Sequence, residues 1–395
     1  MPWRNRAAPS ARVVVPVLES SDWLSRLVVY QAENAHQVVE ATVMTAVYPG
    51  RPLSTATGPA WAENTAVRLR YGWWADDRQD WYGYVASARV DGSESDPKYG
   101  YAVSVPVTYT LVGTSMPMQT QNARAWTDVS PSYIARMIAS RYSLEPVVDV
   151  SRTHFDQRMQ TVSDWAFLAD LTSRIGYRVW CDKAVLYFVN RTTALASSDG
   201  TIPQFWQRKL PGVTDTLRQF QATLGDTDPA GGLRSRYGTV GLNRATGQLS
   251  QAVFEQRRLD SQGQQIAPIT SRQFSDRPAN SWRDAVEILG AGTDWLWVHA
   301  RAITQGDIRL RPGSLVDLQG GAIGAGNAGL WMVRAATHRL DVNLVYPQKT
   351  EYVTELVLGR DLADRVSVAP PQAPAPVPEP VLAGGRWRAS YVGRV

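Results

Sequence analysis

The spacing of apolar and polar residues divides this chain into a β region, a mixed region and a second β region. Between residues 12 and 112, segments rich in Val, Tyr, Trp and Thr are separated by clusters of Gly, Pro, Asp and Ser. Several segments alternate apolar and polar positions, which is typical of half-buried strands. Five strands are predicted, at residues 25–30, 36–47, 65–73, 81–90 and 101–111. Strands in this number and at this spacing favour a barrel or sandwich.

The pattern becomes helical at Ser130. Ser130 and Pro131 have the sequence of a helix start, because serine caps the first turn and proline suits its first position. Apolar residues at helical spacing continue to about residue 143, and a short extended piece follows at 146–150.

Residues 161–190 predict one compact helix–hairpin unit. Ser163 is a candidate N-cap, Asp164 places negative charge in the first turn, and Gly176 suits a left-handed C-terminus. Two strands, at 177–181 and 184–189, follow around a turn at the Asp-Lys pair 182–183. Nothing in the unit is chemically reactive, and we interpret it as a packing wedge between two β domains.

A β pattern returns after residue 205. Strands are predicted at 217–224, 237–242, 247–255, 295–302, 314–318, 330–338 and 351–358. Ser281 and Asp284 stand at capping-box spacing before a short apolar helical face, which predicts one helix near 280–290.

The predicted fold class is therefore mainly β with an α+β insert. The first β-barrel domain is expected at 1–115, the α+β domain at 116–202, and the second β-barrel domain, with its helical insertion, at 203–365. Residues 366–395 form an extended Pro-rich tail, whose spacer rises about 3 Å per residue in a polyproline helix.

The tail ends in a basic, aromatic peptide. We predict that it docks on a partner surface through four anchor residues, Arg386, Trp387, Arg388 and Tyr391. The alternative is a disordered C-terminus.

Composition fits a folded protein. Of 395 residues, 44% are hydrophobic and 19% charged, which argues against global disorder, and the net charge is +5. Lys and Arg are scattered, so no nucleic-acid patch is predicted. Neither a signal peptide nor an apolar run of membrane-spanning length is visible, which predicts synthesis as a soluble cytoplasmic chain. Cys181 is the only cysteine, so an intrachain disulfide is excluded.

No pattern in the chain predicts catalysis, a cofactor or a metal site. The four histidines (His36, His154, His299 and His338) are isolated in sequence, and no G-x-S-x-G elbow surrounds a serine. A carboxylate pair for glycoside hydrolysis could come from Glu33, Glu40, Glu63 or Asp76–Asp77, but no spacing favours one pair. The glycine-rich segment 320–329 lacks a P-loop ending and predicts a turn between two strands.

Four short motifs occur in order within residues 25–360. They are residues 81–87 (WYGYVAS), 109–115 (YTLVGTS), the helix-and-strand stretch from Gln157 to Gly176, and 306–318 (GDIRLRPGSLVDL), with 331–338 as the strand that follows. The order and spacing of these motifs resemble those of the tail-tip, or baseplate, hub proteins of tailed bacteriophages. The hub module of type VI secretion spikes shares their fold.

The resemblance implies a structural virion protein at the tail tip. It implies a homotrimer in which two barrels per copy form a pseudo-sixfold ring, adapting the sixfold tail tube to a threefold spike or fibre. The implied partners are further copies of the chain, the distal tail or tube protein ring, the tape measure protein and the spike or fibre protein. DNA would pass through the channel without specific binding.

Two other functions stay open from the sequence. One is a tail-associated peptidoglycan hydrolase. The other is a host carbohydrate-binding module, suggested by the many tryptophans, with Trp73 and Trp74 as candidates for glycan contact.

Overall fold

A computed structural model gives the fold of the chain. The described residues are 9–15, 18–20, 24–47, 62–73, 78–90, 103–151, 154–190, 201–207, 216–224, 236–242, 249–255, 272–274, 298–324, 327–342, 350–360 and 380–389. The predicted helix near 280–290, Asp76–Asp77, Trp74 and Tyr391 lie outside them.

The first β region is an antiparallel sheet of seven strands. They are β1 (Pro9–Val15), β2 (Leu18–Ser20), β3 (Leu24–Ala32), β4 (Val38–Val47), β5 (Ala66–Trp73), β6 (Arg78–Val90) and β7 (Val103–Gly113), paired in the order β3-β4-β7-β6-β5-β1-β2. The five strands predicted from alternation are confirmed as β3 to β7; β1 and β2 were not predicted.

This sheet encloses most of one buried core, to which Leu340 and Tyr352 of the second β region also contribute. Leu27, Val39, Leu69, Trp81 and Leu111 come from β3 to β7 and pack in one buried cluster. Strand β1 also lies against β3. The sheet therefore curls around one face, as a barrel-like fold requires.

The α+β region follows. Its elements are a 3₁₀ turn (Met116–Gln119), β8 (Arg124–Val129), α1 (Pro131–Arg141), β9 (Glu145–Val148), β10 (Phe155–Gln160), α2 (Asp164–Ile175), β11 (Tyr177–Asp182) and β12 (Val185–Asn190). Strands β11, β12 and β9 form one sheet, and β8 pairs with β10. Strands β8 and β10 were not predicted.

The helix ends are where the sequence placed them. Ser130 and Ser163 accept hydrogen bonds through their hydroxyl oxygens from the amides of Tyr133 and Ala166, both at 3.2 Å. Gly176 has φ 70°, the left-handed conformation expected for it. The predicted hairpin is confirmed, although the first strand is one residue longer, the second is shifted by one residue, and the turn moves to residues 183–184.

The second β region contains most of the remaining strands. They are β13 (Gln204–Trp206), β14 (Leu217–Leu224), β15 (Arg236–Leu242), β16 (Leu249–Glu255), β17 (Arg272–Phe274), β18 (Val298–Gln305), β19 (Leu315–Gln319), β20 (Gly329–Asp341) and β21 (Glu351–Arg360). Strands β15, β16 and β17 form a separate sheet. The glycine-rich segment lies between β19 and β20, which confirms a turn rather than a phosphate loop.

One sheet runs through both β regions. Strand β20 pairs antiparallel with β3 over seven residue pairs, from Ala335 opposite Ala32 to Asp341 opposite Arg26. The resulting order, β14-β18-β21-β20-β3-β4-β7-β6, places eight antiparallel strands side by side. The sequence patterns did not indicate this connection.

The C-terminal tail contains structure that the sequence did not predict. Strands β22 (Pro380–Ala383) and β23 (Arg386–Ala389) form a hairpin, here named the C-terminal hairpin, around two glycines with positive φ. The expectation of an extended or frayed tail is therefore wrong for residues 380–389. Gly384 and Gly385 supply the positive φ values that a tight hairpin turn needs.

Candidate functional site

The candidate catalytic residues are dispersed and held in structural contacts. Glu33 is ion-paired, Glu40 accepts a hydrogen bond from the Tyr30 hydroxyl, and Glu63 is exposed. Within the ranges that the structure describes, no three His, Cys, Asp or Glu side chains cluster as metal ligands. Over the same ranges, no helix is long and apolar enough to cross a bilayer. Cys181 is buried, and burial raises the pKa of its thiol, so it is a poor nucleophile.

His338 belongs to a buried network where the two β regions meet. Its Nε2 lies 2.9 Å from the Leu310 carbonyl oxygen, to which it can only donate. Its Nδ1 lies 3.1 Å from the Tyr352 and Thr354 hydroxyls. Burial lowers the pKa of His338 to about 4, so the ring is neutral. The Tyr71 ring, from the first β region, packs 5.8 Å away.

Trp73 also fastens the β regions to each other. Its indole Nε1 donates to the carbonyl of Gly306 at 2.8 Å, and its ring centroid lies 5.8 Å from that of Tyr352. A side chain at position 306 would overlap the Tyr352 ring, so glycine is required there by close packing. The first residue of the 306–318 motif thus has a structural role.

An ion-paired cluster joins all three regions. Arg178 of β11 is 1% exposed and donates from Nη1 to Glu33 Oε1 at 2.7 Å. Arg334 of β20 lies 3.7 Å from the other oxygen of Glu33. Because Glu33 follows β3, its carboxylate connects the first β region to both other regions.

The β3–β4 turn docks on the edge of β11 through Asn34. The Asn34 amide donates to the Val179 carbonyl, and the Val179 amide donates to Asn34 Oδ1, both at 2.9 Å. Thr172 of α2 donates to the same oxygen at 3.2 Å. Asn34 has φ 57°, a left-handed conformation that asparagine tolerates better than most residues.

The helix–hairpin unit 161–190 also contacts the second β region. Arg311, in the 306–318 motif, donates to Asp182 at 3.0 Å. The unit therefore packs against both β regions, as the wedge interpretation requires. It does not act alone, because β20 and β3 hydrogen-bond directly.

Among the described residues, two strand edges of the large sheet lack a partner: the outer edge of β14 and part of one edge of β6, beyond which the sheet continues through β5, β1 and β2. In β6, residues 78–84 pair with β5, but no strand in the described part of the chain pairs with the outer edge of residues 86–88. Strand β14 is paired on one side, with β18, among the described strands. Ser87, Gln219 and Gln221 are exposed at these edges.

The outer face of the sheet carries both signs of charge. Asp341 lies between Arg26 and Arg339, at 3.5 and 3.0 Å, and Arg218 pairs with Glu351. Neither sign forms a continuous stripe along these ion pairs.

The predicted anchor residues are placed differently from one another. Trp387 is buried against its own chain, with its indole Nε1 donating to the Gly83 carbonyl at 3.0 Å. Arg386 and Arg388 are exposed. Partner docking by these residues stays a prediction, now restricted by the cis contact of Trp387.

Similar folds occur among solved structures. No protein-family model and no curated protein sequence matches the chain. A tail protein from Neisseria meningitidis is 11% identical, with TM-score 0.60, covering 92% of this chain and 100% of its own. The 43 kDa tail protein of prophage MuSo2 from Shewanella oneidensis is 9% identical, with TM-score 0.60, covering 90% and 99%.

A type VI secretion protein has a similar fold as well. The E. coli c3393 protein, described as structurally similar to the T4 tail proteins gp27 and gp5, is 11% identical, with TM-score 0.53, covering 94% of this chain and 81% of its own. The resemblance drawn from the sequence motifs is thus confirmed at the level of fold. The chain has the mainly β fold of tailed-phage tail proteins and of this type VI secretion component.

Proposed function

We propose that three copies of this chain form a ring-shaped hub at the tip of a phage tail. In this proposal the protein is structural and has no catalytic role. The hub adapts the sixfold tail tube, on one side, to a threefold spike or fibre on the other. Its support is the fold of the solved tail proteins together with the pair of β regions in one continuous sheet.

The observation that carries the proposal is the pair of open edges. The eight antiparallel strands from β14 to β6 alternate in direction, so β14 and the part of β6 that extends beyond its pairing with β5 run in opposite directions. The β6 edge of one copy, placed beside the β14 edge of the next, therefore continues the antiparallel ladder. Antiparallel continuation is the more stable arrangement of a strand pair.

A contact between two different surfaces of identical chains produces a ring when its rotation closes. Open strand edges also aggregate unless they are covered, and ring closure covers both. The junction between β20 and β3 inside one chain has the same edge-to-edge form. Three copies, each with two β regions, then give six similar β units around the axis.

The outer face of the sheet suits a channel wall for DNA and the tape measure protein. In its Arg26–Asp341–Arg339 row one acidic group lies between two basic groups. At this row the carboxylate would weaken the phosphate contacts that retard a passing DNA strand. The hub would work at the virion tail tip after synthesis in the host cytoplasm.

The edge contact is tested by disulfide formation. Chains carrying Ser87→Cys with either Gln219→Cys or Gln221→Cys are oxidised, and covalent dimers and trimers are expected on a non-reducing gel. The matched control combines Ser87→Cys with Ser140→Cys on the exposed side of α1. A monomeric mass in solution would overturn the hub proposal, whereas a trimer without these cross-links would overturn the edge contact alone.

A further inference from the structure

The C-terminal hairpin is held mainly by one large buried side chain, that of Trp387. Trp387 is 6% exposed, donates its indole N–H to Gly83, and meets the Tyr82 ring edge-on at 4.8 Å. Its backbone amide donates to the Tyr84 hydroxyl at 2.9 Å. These contacts form a specific receptor for one tryptophan on β6, here named the Trp387 pocket.

A second attachment lies in the α+β region. The Ala389 amide donates to the Ser143 carbonyl at 3.0 Å, and the Ala389 side chain joins the α+β core. The hairpin thus spans two regions of its receptor. Its own two strands pair with each other and with no other described strand.

The glycine-turn end of the hairpin fits loosely. A groove of about 490 Å³ remains beside its glycine turn, lined by Asn64, Met116, Gln119 and Arg386 among others. Val381 and Leu382 are exposed. The hairpin is therefore a separable ligand of the Trp387 pocket, and the large sheet does not depend on its strands.

Its connection to the body is long. Residues 361–379 separate β21 from the hairpin and include five prolines. At about 3.1 Å per residue in polyproline conformation, this segment can reach about 60 Å. A folded chain of this length has a radius of gyration of about 21 Å. The reach is about three times that radius, which is enough for the hairpin to cross to a copy in contact with its own.

We propose that, in the trimer, the hairpin of each copy docks in the Trp387 pocket of the next copy. The partner is a second copy of this chain, and the exchange reproduces the same contacts on an identical receptor, which makes it a low-cost route to association. The exchanged hairpins would join each copy to its neighbour by a second contact, separate from the strand-edge contact of the large sheet. This inference rests on the proposed trimer.

The experiment separates exchange from cis docking with two differently tagged full-length chains. One carries Ser143→Cys and the other Ala389→Cys, at positions whose backbones are hydrogen-bonded. The chains are co-expressed, purified through both tags as mixed trimers and oxidised. A disulfide between the two tagged chains is expected, and buried Cys181 contributes little background.

Two controls make the outcome decisive. Both substitutions placed on one chain test whether the disulfide geometry is accessible at all, and Gln204→Cys replacing Ser143→Cys measures random collisions. Cross-linking restricted to the doubly substituted chain, in particles of trimeric mass, would overturn the exchange and leave the proposed hub standing. A monomeric mass would contradict both.

Discussion

Arg178 and Glu33 form a buried ion pair across the boundary between the α+β region and the first β region. Their nitrogen and oxygen are 2.7 Å apart, and Arg178 also donates to the Asn190 carbonyl. A buried charge is costly unless it is paired and hydrogen-bonded. The pair therefore fixes the relative placement of the regions more strongly than a surface ion pair would.

Glu33→Gln removes the negative charge and leaves Arg178 buried with its charge uncompensated. We expect a loss of about 3 kcal/mol in unfolding free energy, the usual cost of breaking a buried pair. Urea unfolding monitored by tryptophan fluorescence measures it. Glu351→Gln, which removes the partner of exposed Arg218, is the matched control and should cost less than about 1 kcal/mol. Equal losses in the two variants would contradict a special role for Glu33.

Acid should destabilise the junction of the β regions through His338. Its pKa falls from 6.5 when unfolded to about 4 when folded, so its contribution to stability is present above pH 6.5 and is lost as pH falls through 4. The full loss is about 3 kcal/mol. The difference in unfolding free energy between wild type and His338→Gln should shrink over this window. His154→Gln, at an exposed position, should follow wild type; a pH-independent difference for His338→Gln would contradict the assignment.

Gly306→Ala should disturb the same junction without changing any charge. The added methyl overlaps the Tyr352 ring, which in turn contacts His338 and Trp73. Overpacking of this kind costs about 1–3 kcal/mol. Thermal unfolding provides the measurement, with Gly321→Ala as control because its added methyl meets nothing within 4 Å. A melting temperature unchanged in both variants would show that the junction tolerates the methyl.

Trp387→Ala should release the C-terminal hairpin while the sheet remains folded. The variant loses the contacts with Tyr82 and Gly83, but Trp387 belongs only to a small cluster with Ala66, Tyr82 and Tyr84 and to none of the three large core clusters. Hydrogen exchange should become faster at the Ala389 amide and stay slow in β3 and β20. Protection of Ala389 retained in the variant would show that the anchor lies elsewhere.

The sequence predicted elements whose signals are local. The alternation of apolar and polar residues predicted β3 to β7, and the caps at Ser130, Ser163 and Gly176 predicted the ends of the two helices. Both kinds of signal depend only on residues a few positions apart. The glycine-rich segment before β20 was also interpreted correctly as a connection between two strands.

Features that depend on distant partners were missed. The β20–β3 pairing joins residues about 300 positions apart. The sequence of neither strand indicates which strand it pairs with. Trp387 was interpreted as an anchor for another protein. Its pocket at Gly83 lies about 300 positions away in sequence, so the contact within the same chain was not visible. Strands β8 and β10 are short and mostly polar, so the sequence shows no strand pattern for either. They are recognised only by their pairing with each other in the structure.

The most direct test of the central claim is an electron cryo-microscopy reconstruction of the purified full-length protein. The account predicts a closed threefold ring in which six β units surround the axis and the β6 edge of each copy meets the β14 edge of the next. Monomeric particles, or a ring of another symmetry with both edges exposed, would contradict it.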